Sequence, residues 1–574
     1  MSFQQQTARA QTFLMAIIIL IDPCISHYGG ITEIGTMLVE FNNNVRFVLQ
    51  QCGNSCICLA ISQGRIFQAG SSWIDALGGK VSLIALRVLL LLQACMLSVP
   101  LFSQDNVFEK MRRHMNEESL PLVNLKVDSS SLNGDVYIAG EIEIAEYSNG
   151  NDSLHPLARY FCELKYRGSS AMLYKKKSFS VKLVDEAGEK LDANLFGIRS
   201  DNSWILDAMA IDRIRMRNRI CFDIWNSINR TPYPTSFGGR NGTEGRFVEL
   251  FINGQYHGLY CLTDKIDRKL LGLKKAKVSA EGEVRVRGIL YKGVSWNDYD
   301  DIYLLSYKES PTDTILWNSW ELKYPDEYPS QGTWMPLMEL IDFCSERTPD
   351  DKFEIEVNDY FYVDNLIDYV VFTFAMLIGD NLYNNTFLSV VDIASRHQYL
   401  LTPWDMDASM GGSWNGSYNN KVAYIGRYDT PAPFNRLMAE NLAGFQDKVK
   451  QRWQQYRKGV LSIDSVYQWL DRYSDMFIRS GAWNREYEKW NDNPVPLRLT
   501  LEEEIDYVKQ WYKMNYNHLC NIFDIPVSVN AVPMVVENAL LSQGGEVIYN
   551  LQGQRINGLQ KGLNIVEGKK ILIK

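Results

Sequence analysis

From about residue 120 the chain alternates short apolar runs with turns, which is typical of β-structure. Strands are predicted at residues 122–127 and 136–144. In residues 178–183 every second side chain is apolar, so one face of this strand is expected to be buried. Asn253-Gly254 lies between two apolar runs and predicts a tight hairpin. The first half is therefore expected to be mainly antiparallel sheet.

One helix is expected inside this β-rich half, at residues 211–228. Its apolar residues fall on one stripe at helical spacing, and Arg217 and Asn218 lie on the same stripe. Polar groups on a buried stripe need partners. Arg217 either extends along the helix to solvent or points into a polar cleft, and the pattern alone leaves both open.

The second half has a different character. Residues 362–378 are almost entirely apolar and predict a buried helix, followed by strands at 386–391 and 398–402. Residues 434–523 predict further helices. A β-rich first half with one helix, followed by a helical second half, predicts an α+β fold.

Composition and charge narrow the class of protein. The chain has 574 residues, 46% hydrophobic and 22% charged, which suits a globular protein with a sizeable core. A formal charge of -9 argues against a nucleic-acid partner. The cysteines after residue 100 are isolated, odd in number and set in apolar surroundings, so we expect buried free thiols.

Both ends carry signals of export. Residues 80–103 combine a leading Lys80, an apolar run and a small-residue end, which predicts a secretory signal peptide and a secreted or cell-surface protein. The run is short for a membrane span, so we expect no transmembrane segment in the mature protein. Residues 1–79 are interpreted as a mis-called or unstructured extension, with a small folded or membrane-associated piece as the alternative.

Candidate chemistry lies where the buried helix ends. Asp380 follows that helix, Asn385 comes five positions later, and Asp405 follows the second strand of the hairpin. Carboxylate and amide oxygens suit Mg²⁺ or Mn²⁺ bound together with phosphates, and a further acid could accept a proton. Asp and Asn are also common turn residues, so this spacing alone does not decide between the two.

Five motifs in order strengthen the case. The chain resembles the CotH family of spore-coat-protein-H-like atypical kinases over residues 118–525, through YRGSSAMLYKKKSFSVKL, RMRNRICFDIW, VELFINGQYHGLYCLTDKID, GDNLYNNTFL and PWDMDASMGG. The resemblance implies a two-lobe fold, with a β-rich N-lobe and a helical C-lobe. It also implies an ATP-dependent kinase that uses Mg²⁺ or Mn²⁺ to transfer phosphate to protein Ser or Thr.

The resemblance also implies roles for individual residues. Asp380 corresponds to the catalytic acid. The metal ligands correspond to Asn385, Asp405 and, as an assisting acid with turn capping as its alternative role, Asp407. The nucleotide-binding residues correspond to Arg167, Gly168, Ser169, Arg217 and Asn218, with Lys177 and Lys182 as alternatives for the phosphate-binding lysine.

Departures from the kinase pattern limit how far these family roles can be carried over to this chain. The sequence has neither His-Arg-Asp nor Asp-Phe-Gly, and Asp264 stands where many relatives have Glu. Glu249 matches a family acid, although a structural ion pair explains it equally well. Two alternatives stay open: a surface adhesin on a kinase-like scaffold, or an enzyme that transfers AMP.

The last residues resemble a second family. Residues 540–574 contain two strand-like runs separated by glycine turns, and YNLQGQR with KGLNIVEGKK is similar to the C-terminal sorting domain of type IX secretion. Residues 526–539 would be the linker. The resemblance implies the secretion machinery as a partner and export across the outer membrane.

Overall fold

The structure is a computed structural model that describes residues 106–148, 157–295, 314–395, 398–424, 426, 432–491 and 495–524, together with the backbone of eight short strands near the ends. The chain divides into two compact units, Met1–Gln104 and Asp105–Lys574. The predicted signal peptide and the linker lie outside the described residues. No helix among the described residues is long and apolar enough to cross a membrane.

Seven strands of the second unit close into a barrel. They are β1 (Leu122–Val127), β2 (Ile138–Ala145), β3 (Leu157–Arg167), β4 (Ser178–Val184), β5 (Ser203–Asp207), β6 (Gly245–Ile252) and β7 (Gln255–Thr263). Their order is β5-β7-β6-β1-β2-β3-β4, and β4 pairs with β5 to close the ring. Every pair is antiparallel except β6 with β1, which is parallel.

The local patterns account for these strands. In β4 the alternating residues Phe179, Val181 and Leu183 are buried in the barrel core, as predicted. The β6–β7 hairpin turns at Asn253 and Gly254, whose φ angles are 50° and 78°. Both angles are positive, as a two-residue type I′ turn requires, and this confirms the Asn-Gly prediction.

Two helices belong to this half, α1 (Val107–Arg113) and α2 (Arg217–Ile228). The prediction of a helix from residue 211 was wrong by six residues at its start. The Asp212 side chain accepts hydrogen bonds from the backbone N–H of Met216 at 2.8 Å and of Arg217 at 2.7 Å. Arg215 has a positive φ of 56°, which interrupts any helix there. The acid therefore organises a turn, and α2 begins after it.

A second, antiparallel sheet follows in the chain. Its strands are β8 (Ile289–Val294), β9 (Leu316–Trp317), β10 (Trp320–Tyr324), β11 (Asn384–Val390) and β12 (Leu400–Pro403), in the order β9-β10-β8-β11-β12. Two short strand pairs also form in this unit: Ala193–Asn194 with Ser200–Asp201, and Lys277–Val278 with Val284–Arg285. The predicted hairpin at residues 386–402 is thus confirmed as β11 and β12.

Helices make up most of the remaining described chain. They are α3 (Gln331–Cys344), α4 (Asp350–Tyr360), α5 (Val363–Met376), α6 (Phe445–Tyr456), α7 (Ile463–Arg479), α8 (Ala482–Trp490) and α9 (Leu501–Ile522), with 3₁₀ turns at Ser170–Leu173, Asp380–Leu382 and Leu442–Gly444 and a π-helix at Asn435–Ala439. The buried helix predicted at 362–378 is α5. The α+β class is therefore confirmed, and the two-lobe arrangement stays a prediction.

The free thiols are buried as expected, and short strands lie near both ends of the chain. Cysteines 162, 221, 261, 344 and 520 are buried and free. Near the N-terminus the backbone forms two hairpins, Leu38–Asn42 with Asn44–Val48 and Ala60–Ser62 with Arg65–Phe67. The interpretation of residues 1–79 as an extension stays a prediction. Near the C-terminus, strands Ile548–Asn550, Arg555–Ile556, Gly562–Val566 and Lys569–Ile573 form one antiparallel sheet.

Candidate active site

A cleft runs along the outer face of β5 and β7, against α2 and the segment that follows β12. The space between these walls is about 440 Å³ when the open solvent at its mouth is included. Its lining combines charged, polar and apolar side chains: Arg167, Ile205, Asp207, Met209, Asn218, Arg219, Phe222, Thr243, Cys261, Thr263, Trp404 and Asp405. Residues from four separate parts of the sequence therefore meet here, among them Arg167, Asn218 and Asp405 from the predicted site.

Asp405 owes its position to the end of β12. The Asn381 carboxamide accepts a hydrogen bond from the Trp404 N–H at 3.0 Å and donates one to the Trp404 carbonyl at 3.1 Å. This pair fixes the backbone just before Asp405, which has a positive φ of 57° and an exposed side chain. Asp tolerates this conformation better than most residues, and such backbone strain is concentrated at functional sites.

The acids after β12 crowd one another. The pKa of Asp407 is raised well above its ordinary value, by burial first and then by the charges of Asp405, Asp207, Asp212 and Asp380. Loss of hydration around the Asp405 carboxyl, together with the charge of Asp207, also raises the pKa of Asp405. The cations Lys292 and Arg167 oppose this rise. The predicted catalytic acid and two of the predicted metal ligands therefore lie within electrostatic range of one another.

Asn385 lies at an irregularity in the second sheet. Lys292 of β8 pairs with Phe387 and Val294 pairs with Asn384, so β11 carries one extra residue in this interval. Asn385 lies in this bulge with a positive φ of 52°, and it is buried. Bulges redirect side chains and are common next to active sites. The sequence predicted Asn385 in a loop, whereas the structure places it inside a strand.

Asp380 begins the 3₁₀ turn Asp380–Leu382 directly after α5. The helix ends at Met376, and the positive φ of 52° at the next residue, Leu377, turns the chain away from the helix axis. The Asp380 side chain is half-buried, and its charge raises the pKa of Asp407. The helix–turn–hairpin arrangement predicted from the sequence is present, and it brings Asp380 close to the acids after β12.

Arg217 and Asn218 occupy different environments. Asn218 lines the cleft, whereas Arg217 is buried behind it in an ion pair with Asp212. Arg217 therefore does not extend to solvent. Asn218 donates to Asp207 Oδ2 at 3.1 Å and accepts from the Met406 N–H at 3.1 Å. Both ends of its carboxamide are thus engaged with the protein.

The predicted phosphate-covering loop follows β3. Arg167 ends the strand, and its guanidinium lies 5.7 Å from the ring of Trp404. Gly168 has a φ of 113°, and a Cβ there would lie 2.8 Å from the Ala171 Cβ. Gly168 and Ser169 are exposed. The glycine is therefore required by the backbone, and the turn is accessible to a ligand.

The two candidate lysines lie away from the acids. Lys177 donates to the carbonyl of Met172 and so fastens the 3₁₀ turn Ser170–Leu173. Lys182 is on the outer face of the barrel, with its ammonium 4.0 Å from the Tyr137 ring centre. Neither lines the cleft with Asp405.

One residue of the cleft and one charged residue that acts on Asp405 were missed by sequence reasoning. Asp207 ends β5, lines the cleft and binds Asn218. Lys292 lies in β8, and its charge acts on Asp405. A single Lys in an otherwise apolar strand and an Asp at a strand end were the available signals. Both are too common in ordinary proteins to identify a site.

Two matched family acids have structural partners. Glu249 is buried and forms a bidentate ion pair with Arg485, at 2.7 and 2.8 Å. Asp264 is buried, and its Oδ2 accepts from Arg199 at 2.9 Å and from Arg240 at 2.8 Å. The ion pair with Arg485 is thus enough to explain Glu249. The Asp264 carboxylate is already paired with two arginines of the fold.

The carboxylate and amide oxygens at this site fit a divalent cation whose remaining ligands would be phosphate oxygens. No group of three or more His, Cys, Asp or Glu side chains in the described part of the chain is arranged to hold a metal by itself. Mg²⁺, however, is usually bound through one or two carboxylates plus substrate phosphates. Asp405 and Asp407, with the amide of Asn385, would be the oxygen ligands of such a cation, and it would relieve the crowding of negative charge around Asp407.

Comparison with known proteins gives one family. The family model described as CotH kinase protein matches residues 164–519, a range that contains every predicted site residue. No curated protein matches the chain.

Proposed function

Because the chain belongs to the CotH kinase family, we propose that it transfers phosphate from ATP to Ser or Thr side chains of a protein. The observation that carries the proposal is the convergence of Asp380, Asp405 and Asp407, whose charges interact beside an open cleft. A binding scaffold has no need for this crowding, which raises the free energy of the folded state.

Asp380 is assigned the role of orienting the acceptor hydroxyl and taking its proton. It is half-buried at the start of a short turn, so it is accessible to a substrate and held by the end of α5. General base catalysis of this kind contributes about 10²- to 10⁴-fold to a rate.

Asp405, Asp407 and Asn385 are assigned to Mg²⁺ or Mn²⁺. When bound, the cation would neutralise charge on the transferred phosphate. Asn381 contributes indirectly, because its two hydrogen bonds to Trp404 hold the backbone that carries Asp405. The Arg167–Gly168–Ser169 turn is assigned to the ATP phosphates, since the glycine leaves room for close approach of the backbone.

Export is part of the proposal. The apolar run at residues 80–103 supports a signal peptide, and the antiparallel sheet formed by the last strands supports a small β-domain of the sorting type. We therefore infer a secreted or cell-surface protein, delivered by secretion machinery that recognises the C-terminal domain.

Radiolabelled nucleotides test the proposed reaction. The full chain is incubated with a protein acceptor and either γ-labelled or α-labelled ATP, with Mn²⁺ or Mg²⁺, beside Asp405→Ala. We expect label on protein from γ-labelled ATP, and none with the variant. Label from the α position instead would identify AMP transfer. No label from either nucleotide, with no thermal shift by ATP, would leave a binding protein and contradict the proposal.

A further inference from the structure

Lys292 lies beside the acid site on a face it shares with aromatic side chains. On β8 it pairs directly with Phe387 of β11, and opposite residues in a sheet share one face. The Phe387 ring is 6.0 Å from the ring of Trp404, and the Arg167 guanidinium is 5.7 Å from that same indole. Lys292 therefore lies on the sheet face of Phe387, and Phe387 and Arg167 both neighbour Trp404, which lines the cleft.

Lys265 approaches the same place from the barrel. It follows β7 by two residues, and its neighbour Ile266 packs in one apolar cluster with Phe387 and, at the cluster's edge, Trp404. The charge of Arg167 acts on Lys265 and on Lys292 alike. Lys265, just after β7, and Lys292 of β8 therefore both lie within electrostatic range of Arg167 at the end of β3.

The surroundings of Lys265 and Lys292 disfavour the charged form of each side chain. Burial lowers the pKa of both, and the neighbouring cations Lys323 and Arg167 lower it further. Within the described residues, neither ammonium forms an ion pair or a hydrogen bond with the protein. Partly buried cations without partners cost free energy, and such groups are concentrated where a ligand supplies the missing charge.

Nearby carboxylates do not supply the negative charge that Lys265 and Lys292 lack, because these carboxylates already have cationic partners. Asp201 and Asp267 each pair with Arg199, at 2.9 and 2.8 Å. Glu321, opposite Lys292 in the sheet, pairs with Lys323 at 2.9 Å. Asp405 acts on Lys292 at longer range and is assigned to the metal. The balance of charge at this edge therefore favours an anion.

We propose that Lys265, Lys292 and Arg167 form a polyphosphate-binding subsite that holds the triphosphate of the nucleotide beside Asp405. This assignment rests on the proposed function and gives the phosphate-binding role to Lys292 and Lys265, in place of Lys177 and Lys182. A polyphosphate carries several closely spaced negative charges. It can therefore pair with three separate cations at once, whereas a ligand with a single carboxylate cannot.

Binding of inorganic tripolyphosphate to the full chain tests the subsite without nucleoside, metal or turnover. Calorimetric titration in EDTA is made with the wild type, Lys265→Gln and Lys292→Gln. The matched controls are Lys177→Gln and Lys182→Gln, which remove the same charge from the same domain. We expect each test variant to bind about tenfold more weakly, equivalent to about 1.4 kcal/mol, and each control to stay within about twofold. Lys292→Arg, which keeps the charge, should retain most of the binding.

The outcomes separate this proposal from the kinase proposal. Tripolyphosphate binding that depends on Lys265 and Lys292 supports the subsite even if no label is transferred from ATP. No binding to the wild type, or weakening by Lys177→Gln or Lys182→Gln alone, would overturn it even if phosphate transfer is found. Unfolding midpoints without ligand show whether each variant is folded, and titration with ATP shows whether the nucleotide competes for the same subsite.

Discussion

Asn218 donates a hydrogen bond to Asp207 at 3.1 Å, and so connects the end of a barrel strand to the loop that carries the acids. Its carbonyl oxygen accepts from the N–H of Met406, which lies between Asp405 and Asp407. Asp207 is itself held by the Met209 N–H at 3.0 Å. The orientation of the acid loop therefore depends on a chain of hydrogen bonds that starts in the barrel.

Replacing Asn218 should weaken metal binding more than it weakens the fold. Asn218→Ala removes both hydrogen bonds, and we expect the affinity for Mn²⁺ to fall about tenfold, because the Asp405–Asp407 backbone is no longer held. Loss of stability should be about 1–2 kcal/mol. Mn²⁺ binding is measured by electron paramagnetic resonance and stability by urea unfolding.

Asn226→Ala is the matched control for this variant. Asn226 lies on the same helix and donates to the Thr243 carbonyl at 2.9 Å, in a half-buried position. Its loss should reduce stability by a similar amount and leave Mn²⁺ affinity unchanged. Equal effects of the two variants on Mn²⁺ affinity would show that Asn218 is merely structural.

The turn after β3 predicts a specific effect on nucleotide binding. Gly168→Ala places a side chain at a φ of 113° and against Ala171, so the turn must change shape. We expect the KM for ATP to rise several-fold, because this turn is assigned to the phosphates. Gly188→Ala is the control, since Gly188 also has a positive φ, of 82°, but its Cβ would contact nothing within 4 Å. Both should lose about 1 kcal/mol of stability, and an unchanged KM in Gly168→Ala would contradict the assignment.

His257 predicts a loss of stability in acid. Burial first, and then the charges of Lys176 and Lys489, lower its pKa from 6.5 to about 4. The unfolded chain therefore binds a proton at a higher pH than the folded chain does. The stabilisation is complete above pH 6.5 and is lost as the pH falls through about 4. The loss is on the order of 1–3 kcal/mol.

Urea unfolding of the wild type and of His257→Gln between pH 7 and pH 4 measures this contribution. Other groups also titrate in this interval, so the informative quantity is the difference between the two pH profiles. The profile of His257→Gln should be flatter, and parallel profiles would show that His257 does not carry the effect.

Much of the fold could be predicted because the local signals agreed with the tertiary structure. The alternation in β4, the Asn253–Gly254 turn and the apolar run of α5 each have one structural solution that buries the apolar side chains. The start of α2 could not be predicted, because Asp212 captures three backbone N–H groups and so overrides the helical pattern. The closure of the strands into a barrel depends on the pairing of β4 with β5, which no local pattern shows.

The site was less accessible to sequence reasoning. Asp380, Asn385 and Asp405 could be proposed because their spacing follows a known order and a resemblance supported it. Asp207 and Lys292 could not, because their role depends on which strand ends meet across the sheet and the barrel. Lys177 and Lys182 stood in the matching motif, yet contacts with Met172 and Tyr137 hold them elsewhere.

The central claim is that Asp380 acts on an acceptor at the metal–phosphate site, and the phosphate-transfer rate of Asp380→Asn tests it most directly. This variant keeps the size and polarity of the side chain but removes the base. We predict that γ-phosphate transfer to protein falls at least about 100-fold, while the thermal shift caused by ATP with Mn²⁺ is retained. Transfer by Asp380→Asn at the wild-type rate, with the same metal dependence, would contradict the account.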